Sequence, residues 1–488
     1  MRTQSLIAPK LIIALTLFCA LFIAPTDLRA QLPNVVVILA DDLGWGDLGC
    51  YGAKHTVTPH LDRLAREGMR FTDAHSTSAV CTPTRYGLLT GRYAWRTRLK
   101  RGTLIGDSPA LIEEGRLTLA RLFKGKGYAT AAIGKWHLGL GSDAKTDFAK
   151  TLRPGPLEAG FDSFFGIPAS LDMVPYVYVE NDRVLALPTA QSEKSPKSNY
   201  FDGVFWREGP AAPGFRHRDV LPELTRRAEV FIHSQTAERP FFLYLALTSP
   251  HTPWVPTGEF QGSTALGEYG DFVTQTDAAV GRVLATLEAR KLADNTLIVF
   301  TSDNGAIPLP AQFAASGHKP NGPWRGQKAD CWEAGHRVPY LVRWPVRTPA
   351  GSTCAETICH TDLPATMAAL IGRKLPDDSA EDSFNLLPLY LGAMPEKPVR
   401  EATVHHSGDG AFAIRQGKWK AISHLGSGGF SQPKTEQPAA GGPTGQLYDL
   451  ETDPGETRNL WLESPDVVAR LTALLARYQT EGRSRPRE

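Results

Sequence analysis

Residues 33–42 read PNVVVILADD. Val35 to Ala40 is an unbroken apolar run with no polar residue to mark a solvent face. Such a run predicts a strand buried on both sides, as at the centre of a parallel sheet. Asp41 and Asp42 follow at once, at the C-terminal end, where α/β sheets hold their ligands. The same grammar recurs three times. ATAAI (129–133) leads into Gly134-Lys135, FFLYLAL (241–247) leads to His251, and TLIVF (296–300) leads to Asp303-Asn304. Helical patterns fall between these strands. One follows Thr58, with Pro59 in its first turn and Leu61, Leu64 and Ala65 on one face; others span Leu117 to Lys126 and Phe272 to Arg290. The alternation predicts an α/β fold with a large, mixed, mostly parallel sheet flanked by helices. Polar residues that repeatedly follow a buried strand predict one shared site.

The outer parts of the chain read differently. Arg2 and Lys10 precede an apolar stretch, Leu11 to Ala24, that is short for a bilayer span. Pro25 ends it, and Leu28-Arg29-Ala30 offers a cleavage site, so residues 1–30 are expected to be a signal peptide. The mature protein is then periplasmic or secreted, with no membrane attachment. The absence of an Asn-x-Ser/Thr sequon favours a bacterial periplasm. Residues 31–390 are expected to form the catalytic region, with 183–216 as a long surface excursion near the site. Residues 391–488 are expected to form an α+β subdomain. It has short strands around Thr403, Phe412, Trp419 and Gln446, a Gly/Pro-rich loop from Gly426 to Gly445, and an amphipathic helix from Ser464 to Gln479 packed on a small antiparallel sheet.

Lys and Arg total 53 against 51 Asp and Glu, a net charge of +2. Near-neutrality gives no ground for a nucleic-acid partner, so any strong field must be local. Beyond Cys19 in the leader stand Cys50, Cys81, Cys331, Cys354 and Cys359. Apart from Cys81, discussed below, four cysteines allow three pairings, and the sequence does not choose among them. Asp41, Asp42, Asp303 and Asn304 form two adjacent pairs of oxygen donors, a set suited to a hard cation such as calcium.

The motif that names a chemistry is CTPTRYGLLTGR, Cys81 to Arg92. Cys-x-Pro-x-Arg alone is short enough to arise by chance; the full frame Cys-x-Pro-x-Arg-x-x-Leu-x-Thr-Gly is far more specific. It resembles the type I sulfatases of the alkaline phosphatase superfamily. GKWHLG (134–139), Pro250-His251-Thr252-Pro253, and Arg325-Gly326-Gln327-Lys328 followed by EAGHRVP (333–339) resemble that family's further motifs. The resemblance covers nearly the whole mature chain and implies an alkaline-phosphatase-like fold. It implies that a formylglycine-generating enzyme converts Cys81 to formylglycine, whose hydrate is a geminal diol. One oxygen attacks sulfur, and the second hydroxyl then expels sulfate. It further implies one Ca2+ on Asp41, Asp42, residue 81, Asp303 and Asn304. Arg85 orients the formylglycine, and Lys135 binds sulfate. His137 is the base at the diol, His251 is a sulfate contact and the acid for the leaving alcohol, and Lys328 is a second ammonium on sulfate and leaving oxygen.

Substrate is less legible. The wording of the motifs resembles bacterial arylsulfatases and N-acetylgalactosamine-6-sulfatases, which implies a sulfated glycan or an aryl sulfate, with 6-sulfated N-acetylgalactosamine first. Asp172, Tyr176, Tyr178, His405 and His406 are candidates for a sugar subsite. Two other readings fit the same residues: a phosphoester or phosphonate hydrolase of the superfamily, and a non-catalytic sulfated-glycan-binding relative.

Overall fold

The computed structural model describes Met1 and residues 32–487. Apart from Met1, the expected leader lies outside the described residues. The strands of the two larger sheets, in chain order, are β1 (Asn34–Asp41), β2 (Met69–Phe71), β3 (Ala129–Lys135), β4 (Ser163–Ile167), β5 (Val179–Glu180), β6 (Arg183–Val184), β7 (Phe241–Pro250), β8 (Thr296–Ser302), β9 (Tyr340–Arg343), β10 (Ser352–Cys354), β11 (Thr403–His406), β12 (Phe412–Gln416), β13 (Trp419–Ile422) and β14 (Gln446–Asp449). The principal helices are α1 (Pro59–Glu67), α2 (Cys81–Thr90), α3 (Leu119–Lys124), α4 (Val220–His233), α5 (Gly267–Ala289) and α6 (Pro465–Thr480).

The large sheet has ten strands in the order β10-β2-β9-β8-β1-β7-β3-β4-β5-β6. Its centre, β8-β1-β7-β3-β4, is parallel throughout. The flanks β9 and β5–β6 run antiparallel, so the sheet is mixed and mostly parallel, as expected. β1 lies between β7 and β8, with Val36 opposite Leu243 and Ile298. Val35 to Leu39 are wholly buried. Each such side chain stabilises the fold by about 1.5–3 kcal/mol, against about 1–2 kcal/mol for ordering its backbone. Helices α4 and α5 contribute Leu224, Ile232, Val280 and Leu287 to the core on one face.

Because the central strands are parallel, their C-terminal ends share one edge. Asp41, Lys135, His251 and Asp303 therefore emerge together. Gly134 makes the spacing workable: its φ is 123°, and a Cβ there would lie 1.8 Å from the Ala246 carbonyl oxygen. Only glycine lets β3 and β7 approach that closely just before Lys135.

The small sheet is antiparallel, β11-β12-β13-β14, with α6 packed on it through Leu471, Leu474 and Tyr478. A buried polar network joins it to the rest of the chain. Arg415 pairs with Asp73 at 2.7 Å, and Lys420 with Glu333 at 3.0 Å and Glu456 at 2.9 Å. His405 stacks on His336 at 3.7 Å, and His336 Nδ1 lies 3.0 Å from His75 Nδ1. Burial holds all three imidazoles below their ordinary value of 6.5. They resist protonation in the fold but accept it when unfolded, so their stabilisation is complete above pH 6.5 and is lost as the pH falls below it. The loss is about 1.4 kcal/mol per pH unit for each net proton taken up on unfolding. Glu456, which burial pushes up to about 7, opposes this between pH 7 and 4.5, as one carboxyl against three imidazoles. The urea midpoint should therefore fall more steeply from pH 7 to 5 in the wild type than in His336→Gln; parallel profiles would contradict this account.

All five described cysteines are free, so none of the three pairings left open by the sequence forms. Cys331, Cys354 and Cys359 are buried and serve as small core side chains, whereas buried Cys81 stands apart at the strand ends. Among the described residues, no helix is long and apolar enough to cross a membrane.

Candidate active site

Cys81 is the first residue of α2, at the mouth of the strand ends. All ten residues of this helix are buried, and Gly91 closes it in the left-handed region at φ 67°. The positive end of the helix dipole thus lies beside Cys81 in a cavity of about 400 Å3, where it favours an anion. Ligand atoms of Asp41, Asp42, Cys81 and His251 all lie within 4.8 Å of one another. Burial pushes the Cys81 thiol up to about 12 despite Lys135 and Lys328 nearby, so the unmodified thiol is not ionised at neutral pH.

The charges around Cys81 interlock. Lys135 Nζ donates to both oxygens of Asp41, at 2.9 and 2.7 Å. Lys328 Nζ donates to Asp42 Oδ2 at 2.7 Å. Arg85 donates to Asp303 Oδ2 through Nε at 3.1 Å and Nη2 at 2.7 Å, and through Nη1 to the Lys135 carbonyl at 3.1 Å. Burial alone would raise the Asp41 carboxyl, but Lys135, His251 and Arg85 outweigh it and hold it at about 2. Asp42 is likewise pushed up by burial and brought below the usual carboxylate value by Lys328 and His251. Three carboxylates are thereby matched by three cations. Removing one partner of such a buried pair typically costs about 3–5 kcal/mol.

Asn304 donates to Asp42 Oδ1 at 2.7 Å, while its own Oδ1 is buried without a partner among the described residues. Asp303 Oδ1 accepts from the Asp42 backbone N–H at 3.2 Å. His137 Nε2 donates to the Leu104 carbonyl at 2.8 Å, and its buried Nδ1 has no partner among the described residues. Burial, then Lys135 and Arg85, keep this ring well below 6.5 and therefore neutral, with a free lone pair on Nδ1. Asp42 and His137, and Ala329 next to Lys328, hold φ of 60°, 54° and 73°. Non-glycine residues in this region typically carry about 1–3 kcal/mol of strain, and such strain clusters at functional sites.

The structure thus brings together all ten residues expected from the sequence: Asp41, Asp42, Cys81, Arg85, Lys135, His137, His251, Asp303, Asn304 and Lys328. Two more belong with them. Ser170 Oγ lies 2.9 Å from Lys135 Nζ and 3.2 Å from His251 Nε2. Tyr200 OH accepts from Lys328 at 3.0 Å and lies 3.2 Å from His251 Nε2. Ser170 stands three residues beyond β4, so the strand-end rule that located Asp41, Lys135, His251 and Asp303 would have found it. Tyr200 lies in the excursion 183–216, whose composition carries no such signal.

The expected sugar subsite needs correction. Of its five candidates only Asp172 lines the cavity. His405 belongs to the buried network above. His406 is buried against Phe412, Tyr176 packs on His217 and Phe215, and Tyr178 stacks on Phe165. Alternation along a short strand does not say which face meets a ligand and which a core.

The sulfatase family model matches residues 33–373. An N-acetylgalactosamine-6-O-sulfatase of Bacteroides thetaiotaomicron is 37% identical over 486 residues, covering 93% of this chain and 94% of that protein. Arylsulfatase A of Homo sapiens is 35% identical over 454 residues, covering 88% and 84%. A solved structure from work on glycosaminoglycan metabolism by Bacteroides thetaiotaomicron is similar at TM-score 0.82 and 37% identity, covering 92% of this chain and 100% of that one. With similarity to sulfatases along nearly its whole described length, the chain belongs to the sulfatase family, enzymes that hydrolyse sulfate esters.

Proposed function

We propose that this chain is a calcium-dependent, formylglycine-type sulfatase that removes the 6-sulfate of N-acetylgalactosamine in a sulfated glycan. The observation that carries the mechanism is the convergence of Cys81 with Asp41 and Asp42, to which Asp303 and Asn304 are hydrogen-bonded, and with the ammonium groups of Lys135 and Lys328 at the strand ends. The substrate follows the Bacteroides thetaiotaomicron relative, an N-acetylgalactosamine-6-O-sulfatase.

The residues fit a hard cation. Asp41, Asp42, Asp303 and Asn304 offer oxygens, and the buried, unpartnered Oδ1 of Asn304 is left wanting a positive partner. With three carboxylates already matched by three side-chain cations, a bound dication leaves surplus positive charge for a sulfate ester. When bound, calcium would polarise a sulfate oxygen and ease ionisation of the attacking hydroxyl. The formylglycine hydrate, once made from Cys81, would supply one oxygen for attack on sulfur and a second hydroxyl for sulfate release.

This chain's own residues do the rest. Arg85, fixed by Asp303 and the Lys135 carbonyl, holds the start of α2 against the acidic pairs. Lys135 and Lys328 face the sulfate oxygens with ammonium groups held in place before substrate arrives, so little reorganisation is needed as charge spreads in the transition state. His137 takes a proton at Nδ1. His251, its Nε2 set between the hydroxyls of Ser170 and Tyr200, gives a proton to the leaving alcohol. Cys81 is only 2% exposed, which supports modification by a formylglycine-generating enzyme before folding closes the site. We place the mature protein in a bacterial periplasm or outside the cell.

Protein co-expressed with a formylglycine-generating enzyme, given matched sulfate and phosphate monoesters of one sugar, should turn over the sulfate faster. Faster phosphate turnover would move the chain to the phosphoesterases. Glycan binding without turnover, in protein carrying the aldehyde, would make it a binding relative.

A further inference from the structure

Beyond Cys81 and Lys328 the cavity is lined by two charged pairs and two exposed aromatic rings. Asp172 is buried, whereas the side chain of Arg207 is 48% exposed. Arg207 Nη1 donates to Asp172 Oδ2 and, at 3.2 Å, to the Asp172 carbonyl. One side of the guanidinium is thereby pinned. Its Nε and Nη2 make no hydrogen bond among the described residues, so those donors remain for a ligand. Lys434 and Asp409 form the second pair, at 2.9 Å. Phe201 and Phe430 stand edge to face, with centroids 5.4 Å apart. Arg207 also lines an adjoining hollow of about 330 Å3, so it stands where the two hollows meet.

The charge balance selects the ligand. Apart from Lys328, every Asp, Arg and Lys lining the cavity has its opposite partner in the same lining. Lys328 pairs with Asp42, which the proposed cation would share, so a substrate with one anionic group at that end and a neutral remainder matches the lining. A second carboxylate or sulfate would meet a guanidinium already neutralised by Asp172 and would be repelled by that carboxylate. Neutral hydroxyl oxygens can accept from the open Nε and Nη2, and the aromatic rings suit the C–H face of a pyranose.

We infer that Arg207, held by Asp172, is a specificity-determining residue that binds hydroxyl oxygens of a neutral sugar ring carrying the sulfate. This rests on the sulfatase reading above. It predicts a split between substrates. Arg207→Ala should raise KM for 6-sulfated N-acetylgalactosamine about ten- to a hundredfold with kcat little changed. Turnover of a small aryl sulfate, which offers no hydroxyls there, should stay within about twofold. Arg207→Lys should not restore the sugar KM, because one ammonium cannot replace a pinned planar fork. Equal losses on sugar and aryl sulfates would show a merely structural role and overturn the inference, as would an unchanged sugar KM. Wild-type protein that turns over aryl sulfate but no neutral sugar sulfate would overturn it while leaving the sulfatase reading intact. Aldehyde-bearing wild-type protein inert toward every sulfate ester would overturn the reading itself, and the inference with it.

Discussion

Replacing Cys81 by alanine should abolish sulfate-ester turnover, by at least about 10^4-fold, while leaving the fold in place. The two halves of this expectation have separate causes. The side chain is small and opens a buried ten-residue helix. Alanine has the best helix propensity, and loss of one sulfur atom opens only a small void, so the cost is roughly 1 kcal/mol. Chemically nothing replaces it. Ser170 and Tyr200 carry hydroxyls in the same site, but a singly hydroxylated side chain, once sulfated, has no second oxygen with which to expel sulfate. The checks are an unfolding curve and a rate on aryl sulfate, both measured beside the wild type. Residual turnover near wild type would show that residue 81 is not the nucleophile.

Stripping divalent ions with a chelator should inactivate the enzyme, and calcium should restore it. The donors at the strand ends are carboxylate and amide oxygens, a set that suits a hard cation better than zinc. Asp41 and Asp42 are paired with Lys135 and Lys328, which on this account face sulfate in the working enzyme. The side-chain charges balance among themselves, so the surplus positive charge for sulfate comes with the cation and leaves with it. Inactivation should come with lower stability, since a ligand at about a hundred times its Kd stabilises the folded state by about 2.7 kcal/mol. Rescue of activity by zinc alone would contradict the assignment.

The parts of this structure that could be read from the sequence are those where one physical constraint acts over several residues. β1, β3, β7 and β8 are buried on both faces, so each carries a continuous apolar run, and the ligands follow at their ends. α2 is different. Every residue is buried, so no polar face gives it a helical period, and only the family motif singles out Cys81. β2, β9 and β10 are three or four residues long and pair with partners far along the chain, which leaves no local pattern. Tyr200 reaches Lys328 from an irregular loop whose path is set by tertiary contacts such as the Trp254 N–H to Gly203 carbonyl bond. His405 resembled a site residue because a buried histidine in a structural network looks, in sequence, like a buried histidine at a ligand.

The most direct test is sulfate release from 6-sulfated N-acetylgalactosamine by calcium-loaded protein whose residue-81 peptide is shown by mass to carry the aldehyde. This account predicts release that depends on both the aldehyde and calcium. Release of equal rate from protein that retains the Cys81 thiol would contradict it.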